Sequence, residues 1–505
     1  MMTPSRRQLL QLTAAAAVKG QSPKKPPKRR TLYFNDARHY YLFVFEPPMR
    51  MEDAWRPVDE VAGTAVDTFV YGVERGDGLF YPSKVGLRFG ADIQPFTMSA
   101  YWRVWENMQS LIDRGLDPLE VLRDRARAKG MEFFASVRMS SYGGINPKFK
   151  VPEGGRGLAH QEVRDHQFAV LEELVTRYNV DGIELDFAAA PGGMPPILRK
   201  EDAKEFTPVL TDYVGRIARM ARARSGKRCF VAARIYPTEA MNLEQGLDVR
   251  AWMGKRFVDS VTPMYYLDFI LDPDMPFDWL VRDAQAANVA IYPMLQPYAQ
   301  DENTGSPERL YYTPEMMHAA AANFWAKGAD GLYTWFMKWP LGDPERRMLT
   351  ELGDPELIAG ATKRHALRRR SKQSAESGYN AALPVEIKAA SPGRGYPIRF
   401  FVADEVERTR PREITLRLLV TNLVTADTLT VKLNGRSLES EARLRDFGNH
   451  ISPYTSQWLH YRLRQVLPRK GENTLEVSLD KRPARLQGGV TVEEVELLID
   501  YGIYP

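Results

Sequence analysis

The sequence is short of the residues that several kinds of functional site require. Its one cysteine, Cys229, excludes an internal disulfide bond and any metal site built from several cysteines. Its seven histidines form no compact ligand motif, which disfavours a metal-dependent deacetylase, and we predict no metal and no cofactor. No apolar run approaches about 18 residues, so we predict no membrane span. No glycine-rich phosphate turn follows the first predicted strand, which argues against an open nucleotide-binding sheet.

Residues 1–30 differ from the rest of the chain. Ser5-Arg6-Arg7 precedes an alanine-rich apolar run that ends at Val18, and this pattern resembles a bacterial twin-arginine signal. It predicts export to the periplasm or the cell exterior, and the alternative is a disordered basic tail. Eight of the 69 basic residues lie here without any acidic residue, so the remainder carries 61 basic and 64 acidic residues. That balance gives no whole-chain preference for nucleic acid or membrane surfaces.

Residues 31–345 alternate short strand-like runs with amphipathic helical stretches, such as Leu119–Lys129 and Gln167–Tyr178. This alternation is typical of a parallel α/β architecture. The predicted strands are Thr31–Asn35, Val66–Val73, Glu132–Met139, Val180–Phe187, Arg228–Tyr236, Val258–Tyr266, Val289–Leu295 and Ala329–Phe336. Eight strands fit a closed (β/α)8 barrel better than an open sheet.

After about residue 345 the alternation of strand-like and helical stretches ends. Lys363–Tyr379, rich in basic residues, Ser, Gln and Gly, predicts a basic helix end followed by a linker. The predicted units are therefore a signal and basic tail at 1–30, a barrel at 31–360, a helix end and linker at 361–382, and an all-β sandwich or jelly roll at 383–505. The sandwich strands expected are Glu413–Val420, Thr428–Leu433, Gln457–Leu463, Asn473–Leu479 and Val490–Tyr501, with a hairpin turn at Asn434-Gly435.

The fourth predicted strand carries two acidic residues. Strict alternation puts Ile183, Leu185 and Phe187 on one face, where they would pack on helices. Glu184 and Asp186 then point into the barrel, with Asp186 nearer the open end. Carboxylates in an apolar interior are costly unless they are paired with cations or used in function. Asp186 is therefore the best-marked candidate for an active-site position.

Other strand ends supply possible partners. The structural alternative for Glu184 and Asp186 is an ion pair with Arg138 or Arg234. Because barrel enzymes bind ligands at the carboxyl ends of the strands, further side chains are expected to converge there. These are Tyr142, Tyr236, Glu239, Tyr266, Asp268, Gln296, Trp335 and Lys338. Polar groups beside aromatic rings suit a carbohydrate ligand.

Three stretches resemble bacterial glycoside-hydrolase-like barrels of the kind called family 10-like. They are Leu-Tyr-Phe-Asn-Asp at 32–36, Val-Asp-Thr-Phe-Val-Tyr-Gly at 66–72, and Val-Asp-Gly-Ile-Glu-Leu-Asp-Phe at 180–187. The resemblance covers about residues 31–345 and implies a barrel that acts on carbohydrate. The C-terminal region, with Asn434-Gly435 and Trp458, resembles galactose-binding-like jelly rolls, which bind glycans or brace a barrel.

Comparison with better-known glycosidase groups narrows the expected chemistry. Family 18 chitinases have their acid Glu where this chain has Ala188, which argues against a chitinase mechanism. Gly182 and Asp186 match the spacing with which α-glycosidase clans place a nucleophilic Asp at the end of strand four. Some of those clans place an acid Asp after strand six, where this chain has Asp268. The major β-glycosidase clan uses a strand-seven Glu, and this chain has Gln296 nearby instead.

The resulting hypothesis is a glycoside hydrolase that cleaves a poly- or oligosaccharide. Such enzymes need two carboxyl groups, about 5–5.5 Å apart for retention or about 6.5–9.5 Å apart for inversion. Asp186 is expected to be the nucleophile or the water-activating base, and Asp268 the general acid, with Glu239 as its substitute. Glu184 would shift the proton affinity of Asp186.

Two alternatives remain open. One is a non-catalytic carbohydrate-binding or surface scaffold that keeps the barrel. The other is a polysaccharide lyase that uses Arg138, Tyr266 and a carboxylate for proton abstraction. The expected partner in every case is a carbohydrate, with no nucleic acid, and the sequence does not predict the oligomeric state.

Overall fold

The computed structural model describes residues 29–36, 41–75, 78–141, 144–188, 196–266, 269–299, 311–369, 378–379, 381–439, 442–447 and 456–502. These residues form a mixed α/β structure: a curled parallel sheet with helices, followed by antiparallel β-sheets. None of the described helices combines the length and the apolar character needed to cross a bilayer.

Strands of the first part are short and mostly buried on both faces. They are β1 (Thr31–Asp36), β2 (Thr68–Gly72), β3 (Glu74–Arg75), β4 (Gly78–Leu79), β5 (Glu132–Arg138), β6 (Gly182–Asp186), β7 (Phe230–Ile235), β8 (Ser260–Pro263), β9 (Ala290–Ile291), β10 (Met294–Leu295) and β11 (Leu332–Thr334). The parallel sheet runs in the spatial order β10-β11-β1-β2-β5-β6-β7-β8-β9, while β3 and β4 form a separate antiparallel pair. Each of the eight predicted strands overlaps an observed one.

The seventh predicted strand is split into β9 and β10, which stand at the two ends of the sheet order. Only Tyr292 and Pro293 separate them, and a proline cannot donate a ladder hydrogen bond. Tyr292 N donates to Val261 O of β8 at 3.0 Å, and Pro293 O accepts from Tyr333 N of β11 at 3.2 Å. The segment 290–295 therefore pairs with β8 through β9 and with β11 through β10, which lie near opposite ends of the sheet order.

Helices cover the convex face of the sheet. The described α-helices are α1 (Tyr41–Val44), α2 (Met51–Asp59), α3 (Ser99–Ile112), α4 (Pro118–Ala128), α5 (Gln161–Thr176), α6 (Ala203–Ala223), α7 (Glu239–Glu244), α8 (Val249–Gly254), α9 (Asp278–Ala287), α10 (Pro314–Ala326), α11 (Asp343–Leu352), α12 (Pro355–Ala359) and, in the C-terminal part, α13 (Val406–Thr409). Short 3-10 turns lie at Pro147–Phe149, Val151–Glu153, Gly157–Ala159 and Lys200–Asp202. The predicted helix at Leu119–Lys129 is α4, and its capping residue Asp117 accepts a hydrogen bond from Leu119 N at 3.0 Å.

Two apolar clusters lie on opposite faces of the parallel sheet. The larger one joins the convex face to the helices and includes Phe69, Ile183 and Leu185. The smaller one lies on the concave face and includes Phe34 and Trp335. Period-two alternation along the strands produces this division.

The C-terminal part consists of two antiparallel sheets that share a third apolar cluster. Its strands are β12 (Lys363–Ala366), β13 (Val385–Ile387), β14 (Tyr396–Val402), β15 (Glu413–Thr421), β16 (Thr428–Leu433), β17 (Arg436–Ser437), β18 (Ala442–Phe447), β19 (Ser456–Arg462), β20 (Gly471–Lys481) and β21 (Val490–Asp500). One sheet runs β12-β21-β15-β19-β18, with β13 also paired to β21, and the other runs β14-β20-β16-β17. Asn434 and Gly435 form the predicted hairpin turn, with φ angles of 53° and 81°.

The predicted helix end at 363–379 is wrong at its start. Lys363–Ala366 is strand β12, which pairs with Glu496–Ile499 of β21. The side chains of Lys363 and His365 are buried, so these basic residues belong to a folded interface. The local sequence indicates a basic, solvated segment. It cannot reveal the strand, because the pairing partner lies about 130 residues further along the chain.

Asn323 of α10 joins the two parts of the structure. Its Nδ2 donates to Pro273 O and to Phe401 O, both at 2.9 Å. Its Oδ1 accepts from Ala403 N at 2.9 Å. This fully buried amide therefore pairs three backbone groups at the contact between α10 and the C-terminal sheets.

Candidate functional site

Glu184 and Asp186 lie on the concave face of β6, at the carboxyl end of the parallel sheet. Their neighbours Ile183 and Leu185 pack beneath the helices, as the alternation predicts. Both acidic side chains bind Arg234, which reaches the same face from the neighbouring strand β7. The structural alternative named from the sequence, an ion pair with Arg234, is therefore present.

Arg234 is the centre of this cluster. Its Nη1 donates to Asp186 Oδ2 at 3.0 Å, and its Nη2 donates to Glu184 Oε1 and, at 3.1 Å, to the hydroxyl of Tyr333. The guanidinium carbon lies 4.4 Å from the ring centroid of Phe34 and 4.9 Å from that of Trp335. Arg234 has no exposed surface, so two carboxylates and two aromatic rings compensate its desolvation.

The two carboxylate oxygens of Glu184 differ in their described contacts. Oε1 accepts from Ser136 Oγ at 2.7 Å, from Tyr333 at 3.2 Å and from Arg234. Oε2 is buried and has no hydrogen-bond partner among the residues that the structure describes. Burial raises the pKa of Glu184, Arg234 opposes that rise, and the charge of Asp186 adds to it.

Asp186 is held from two sides. Besides Arg234, its carboxylate accepts a hydrogen bond from Ala188 N at 3.2 Å. The side chain has no exposed surface. These contacts fix its orientation at the end of β6.

Arg138 forms a second buried ion pair beside the first. Its Nη2 donates to Asp36 Oδ2 of β1 at 2.5 Å, and its backbone N donates to Glu74 Oε1 at 2.7 Å. Arg138 and Asp186 are paired residues of adjacent strands, so the two ion pairs lie next to each other.

Aromatic rings form one wall of the concave face. Trp335 packs 4.5 Å from Phe34, 5.6 Å from Tyr266 and 5.3 Å from Phe269, measured between ring centroids. The Nε1 of Trp335 is buried, and none of the described residues forms a hydrogen bond with it. Burial raises the pKa of Tyr266, with Arg138 acting in the opposite direction. We call Phe34, Tyr266, Phe269 and Trp335 the aromatic wall.

Several expected site residues lie elsewhere. Glu239 begins α7 and pairs with Arg250 of α8, with Nε and Oε1 2.5 Å apart. Tyr236 packs in the convex cluster, because the strand ends at Ile235 and the alternation stops with it. Lys338 is exposed beyond the end of β11.

Gln296 is buried, and its Nε2 donates to the carbonyl of Tyr265, the residue before Tyr266 of the wall, at 2.9 Å. Asp268 and Tyr142 lie outside the described residues. So do other residues that follow β1, β6 and β10, and this end of the sheet is therefore described only in part.

Three residues of the cluster were not expected from the sequence. The predicted first strand ends at Asn35, one residue before Asp36, although Leu32, Phe34 and Asp36 share a face by alternation. Tyr333 and Ser136 are inward-facing strand residues whose hydroxyls bind Glu184. Their polar atoms become informative only once Glu184 is known to face them.

No group of three or more His, Cys, Asp or Glu side chains in the described part of the chain has an arrangement that could hold a metal ion. What the cluster offers is a buried set of hydrogen-bonding groups beside aromatic faces. Within the described residues, two buried polar atoms of this set, Glu184 Oε2 and Trp335 Nε1, have no hydrogen-bond partner.

Comparisons with known proteins do not assign a family. No protein-family model matches the chain, and no curated protein matches it. The α-L-fucosidase of Vibrio sp. strain EJY3 is 12% identical with a TM-score of 0.38, over 93% of this chain and 96% of that chain. The glycoside hydrolase domain of PgaB (BpsB) from Bordetella bronchiseptica is also 12% identical, with a TM-score of 0.39, over 65% of this chain and 99% of that one.

A third similar structure is the cycloisomaltooligosaccharide glucanotransferase of Paenibacillus sp., complexed with cycloisomaltoheptaose. It is 11% identical with a TM-score of 0.35 over 92% of this chain, which spans 57% of the length of that enzyme. At this level of similarity the activities of these enzymes do not transfer to this chain.

Proposed function

We propose that this protein is a glycoside hydrolase that cleaves a poly- or oligosaccharide at the carboxyl end of its parallel sheet. The observation that supports this best is the arrangement around Arg234. One guanidinium holds two carboxylates, Glu184 and Asp186, beside the aromatic wall. Oriented carboxylates next to aromatic faces are what saccharide binding and glycosidic-bond cleavage require.

In this proposal the fold is a (β/α)8 barrel of the family 10-like kind. Such a barrel would close through the segment of β9 and β10, because β9 pairs with β8 and β10 pairs with β11. The C-terminal sheets would be a galactose-binding-like jelly roll. Residues 1–30 would direct export, and replacing Arg6 and Arg7 by lysine should then leave the protein in the cytoplasmic fraction; unchanged export would refute that part.

Asp186 is the proposed nucleophile or water-activating base, because it ends β6 and is fixed by Arg234 and Ala188 N. Asp268 is the proposed general acid. Glu239 is the weaker candidate for that role, because its carboxylate is already paired with Arg250.

Glu184 would bind a substrate hydroxyl through Oε2. Arg138, Tyr266 and Trp335 would contribute to substrate binding. Arg138 supplies positive charge beside Asp36, and the two rings supply stacking faces.

The test is a broad glycan screen with mass detection of products. New reducing ends without unsaturation indicate hydrolysis. On the substrate found, Asp186→Asn should reduce kcat by at least about a hundredfold. Asp181→Asn is the matched control, because Asp181 immediately precedes β6, at the end opposite Asp186, and its carboxylate accepts a hydrogen bond from Phe133 N. Near-full activity of folded Asp186→Asn would exclude the assignment.

A second candidate is a non-catalytic carbohydrate-binding protein. It is favoured by the complete burial and ion pairing of Asp186, since a hydrolase must expose its carboxylate to substrate. Binding of a glycan without turnover in the same screen would establish it. A polysaccharide lyase is less well supported, because burial raises the pKa of Tyr266 and so disfavours the phenolate that would abstract a proton. An unsaturated uronate product would reverse that preference.

A further inference from the structure

The aromatic wall is supported from behind by residues near the junction with the C-terminal sheets. Tyr379 stacks on Tyr265 with ring centroids 4.3 Å apart and ring planes at 16°. Tyr265 immediately precedes Tyr266 of the wall, and its carbonyl accepts from Gln296 Nε2. The stack therefore holds the residue that immediately precedes Tyr266 of the wall.

Arg368 also contacts residues next to the wall. Its Nη1 donates to Ile270 O at 2.8 Å, and its guanidinium carbon lies 4.9 Å from the ring centroid of Tyr265. Ile270 follows Phe269, which is another member of the wall. Arg368 thus bridges the residues on both sides of Tyr266 and Phe269.

Tyr379 also reaches the far end of this segment, where its hydroxyl donates to the carboxylate of Asp272. Asp272, Arg368 and Tyr379 border a cavity of about 440 Å³ between the sheet with its helices and the C-terminal sheets. Tyr379 and Arg368 are themselves buried, so these contacts are interior ones with a fixed geometry.

We infer that Tyr379 and Arg368 are positioning residues for the aromatic wall, and that the C-terminal part of the chain thereby helps to shape the candidate site. They touch no ligand in this scheme. They hold residues 265–266 and 269–272, and through them the faces of Tyr266 and Phe269. The effect on a saccharide rests on the proposed function, whereas the positioning itself does not.

The test uses the full chain and three variants. Tyr379→Leu removes the stack, Tyr379→Phe keeps the stack and removes the bond to Asp272, and Tyr396→Leu is the control. Tyr396 is a half-buried tyrosine of β14 in the same C-terminal part, and its ring packs against the sandwich core.

Hydrogen–deuterium exchange of peptides covering 264–272 measures the positioning directly. Tyr379→Leu should accelerate exchange there by about threefold to tenfold, which corresponds to the loss of one aromatic pair. Peptides from α5 should be unchanged, which separates local loosening from global destabilisation. Tyr379→Phe should show a smaller increase, and Tyr396→Leu none. Equal exchange of 264–272 in Tyr379→Leu and the parent protein would overturn the inference.

Kinetics on the substrate from the glycan screen test the link to the site. A displaced wall weakens binding, so Tyr379→Leu should raise KM by about threefold to tenfold with a much smaller change in kcat, and Tyr379→Phe should restore most of the affinity. Faster exchange with an unchanged KM would overturn the link between the C-terminal part and the site. Faster exchange without binding or turnover of any glycan would support the positioning and count against the proposed function alone.

Discussion

Arg234 and Asp186 form an ion pair, 3.0 Å between Nη1 and Oδ2, in which neither side chain has exposed surface. The same guanidinium also binds Glu184. A buried charge that loses its partner is far more costly than a surface charge that does so. The stability of the sheet and the chemistry of the candidate site therefore depend on one arginine.

Replacing this arginine should destabilise the protein strongly. Arg234→Met leaves two buried carboxylates without their cation, and we expect the free energy of unfolding at pH 7 to fall by about 3–5 kcal/mol. Urea unfolding followed by circular dichroism measures it. The loss should become smaller as the pH falls, because burial raises the pKa of Glu184 and a protonated Glu184 no longer needs the cation.

Arg228→Met is the control for this substitution. Arg228 pairs with Asp259 but is 54% exposed, so its loss should cost less than about 1 kcal/mol. Equal destabilisation by the two variants would contradict the role given to Arg234.

Asp274 should make the stability depend on pH near 6. Burial raises its pKa from 3.8 to about 6, although Lys327 donates a hydrogen bond to it at 2.7 Å. The folded state then holds the proton more tightly than the unfolded chain does. The contribution of Asp274 to stability therefore falls as the pH rises from about 4 to about 6, by less than about 3 kcal/mol, and is constant above that.

Unfolding free energies of Asp274→Asn measured between pH 4 and 7 check this. The variant should lose that part of the pH dependence, so the difference between it and the parent protein should vary across the window. Asp278→Asn removes an exposed carboxylate near Lys327, and its free energy of unfolding should show the same pH dependence as that of the parent protein. A constant difference between Asp274→Asn and the parent would refute the prediction.

Cys229 should be chemically inert in the folded protein. It is fully buried, and burial raises the pKa of its thiol to about 12, so almost no thiolate is present at pH 8. We expect a thiol-specific disulfide reagent to label less than about a tenth of the native protein in the time that it labels the protein fully in 6 M guanidinium. Comparable labelling rates in both conditions would show that this residue is accessible.

The contact between α10 and the C-terminal sheets should depend on Asn323. Asn323→Ala leaves Pro273 O, Phe401 O and Ala403 N without this partner, and we expect a loss of about 2–4 kcal/mol in the free energy of unfolding. Glu315→Ala, in the first turn of the same helix, is the control and should change stability by less than about 1 kcal/mol. A small effect of Asn323→Ala would mean that water replaces the amide at this contact.

Most of the correct predictions came from the alternation of apolar and polar residues along the strands. It placed Glu184 and Asp186 on the face opposite Ile183 and Leu185, because a strand buried on both sides leaves no other arrangement. It could not choose between Arg138 and Arg234 as the partner, since that choice depends on which strands are adjacent and on the rotamers of two long side chains.

The errors arose where non-local contacts decide the structure. Lys363–Ala366 forms a strand only because β21 lies beside it. Tyr236 does not lie on the expected concave face, because its strand ends one residue earlier, at Ile235. The break between Ile291 and Met294 could have been anticipated from Pro293, whose missing N–H interrupts a ladder.

Strand β21 has a consequence for biosynthesis. Its residues 490–500 pair with β12, β13 and β15, and so connect the beginning of the C-terminal part to its middle. The larger of the two antiparallel sheets therefore cannot be completed during synthesis until these residues have left the exit tunnel of the ribosome. A nonsense or frameshift mutation shortly before residue 490 would leave one edge of each of these three strands unpaired, and the truncated product should be a target for proteolysis and aggregation.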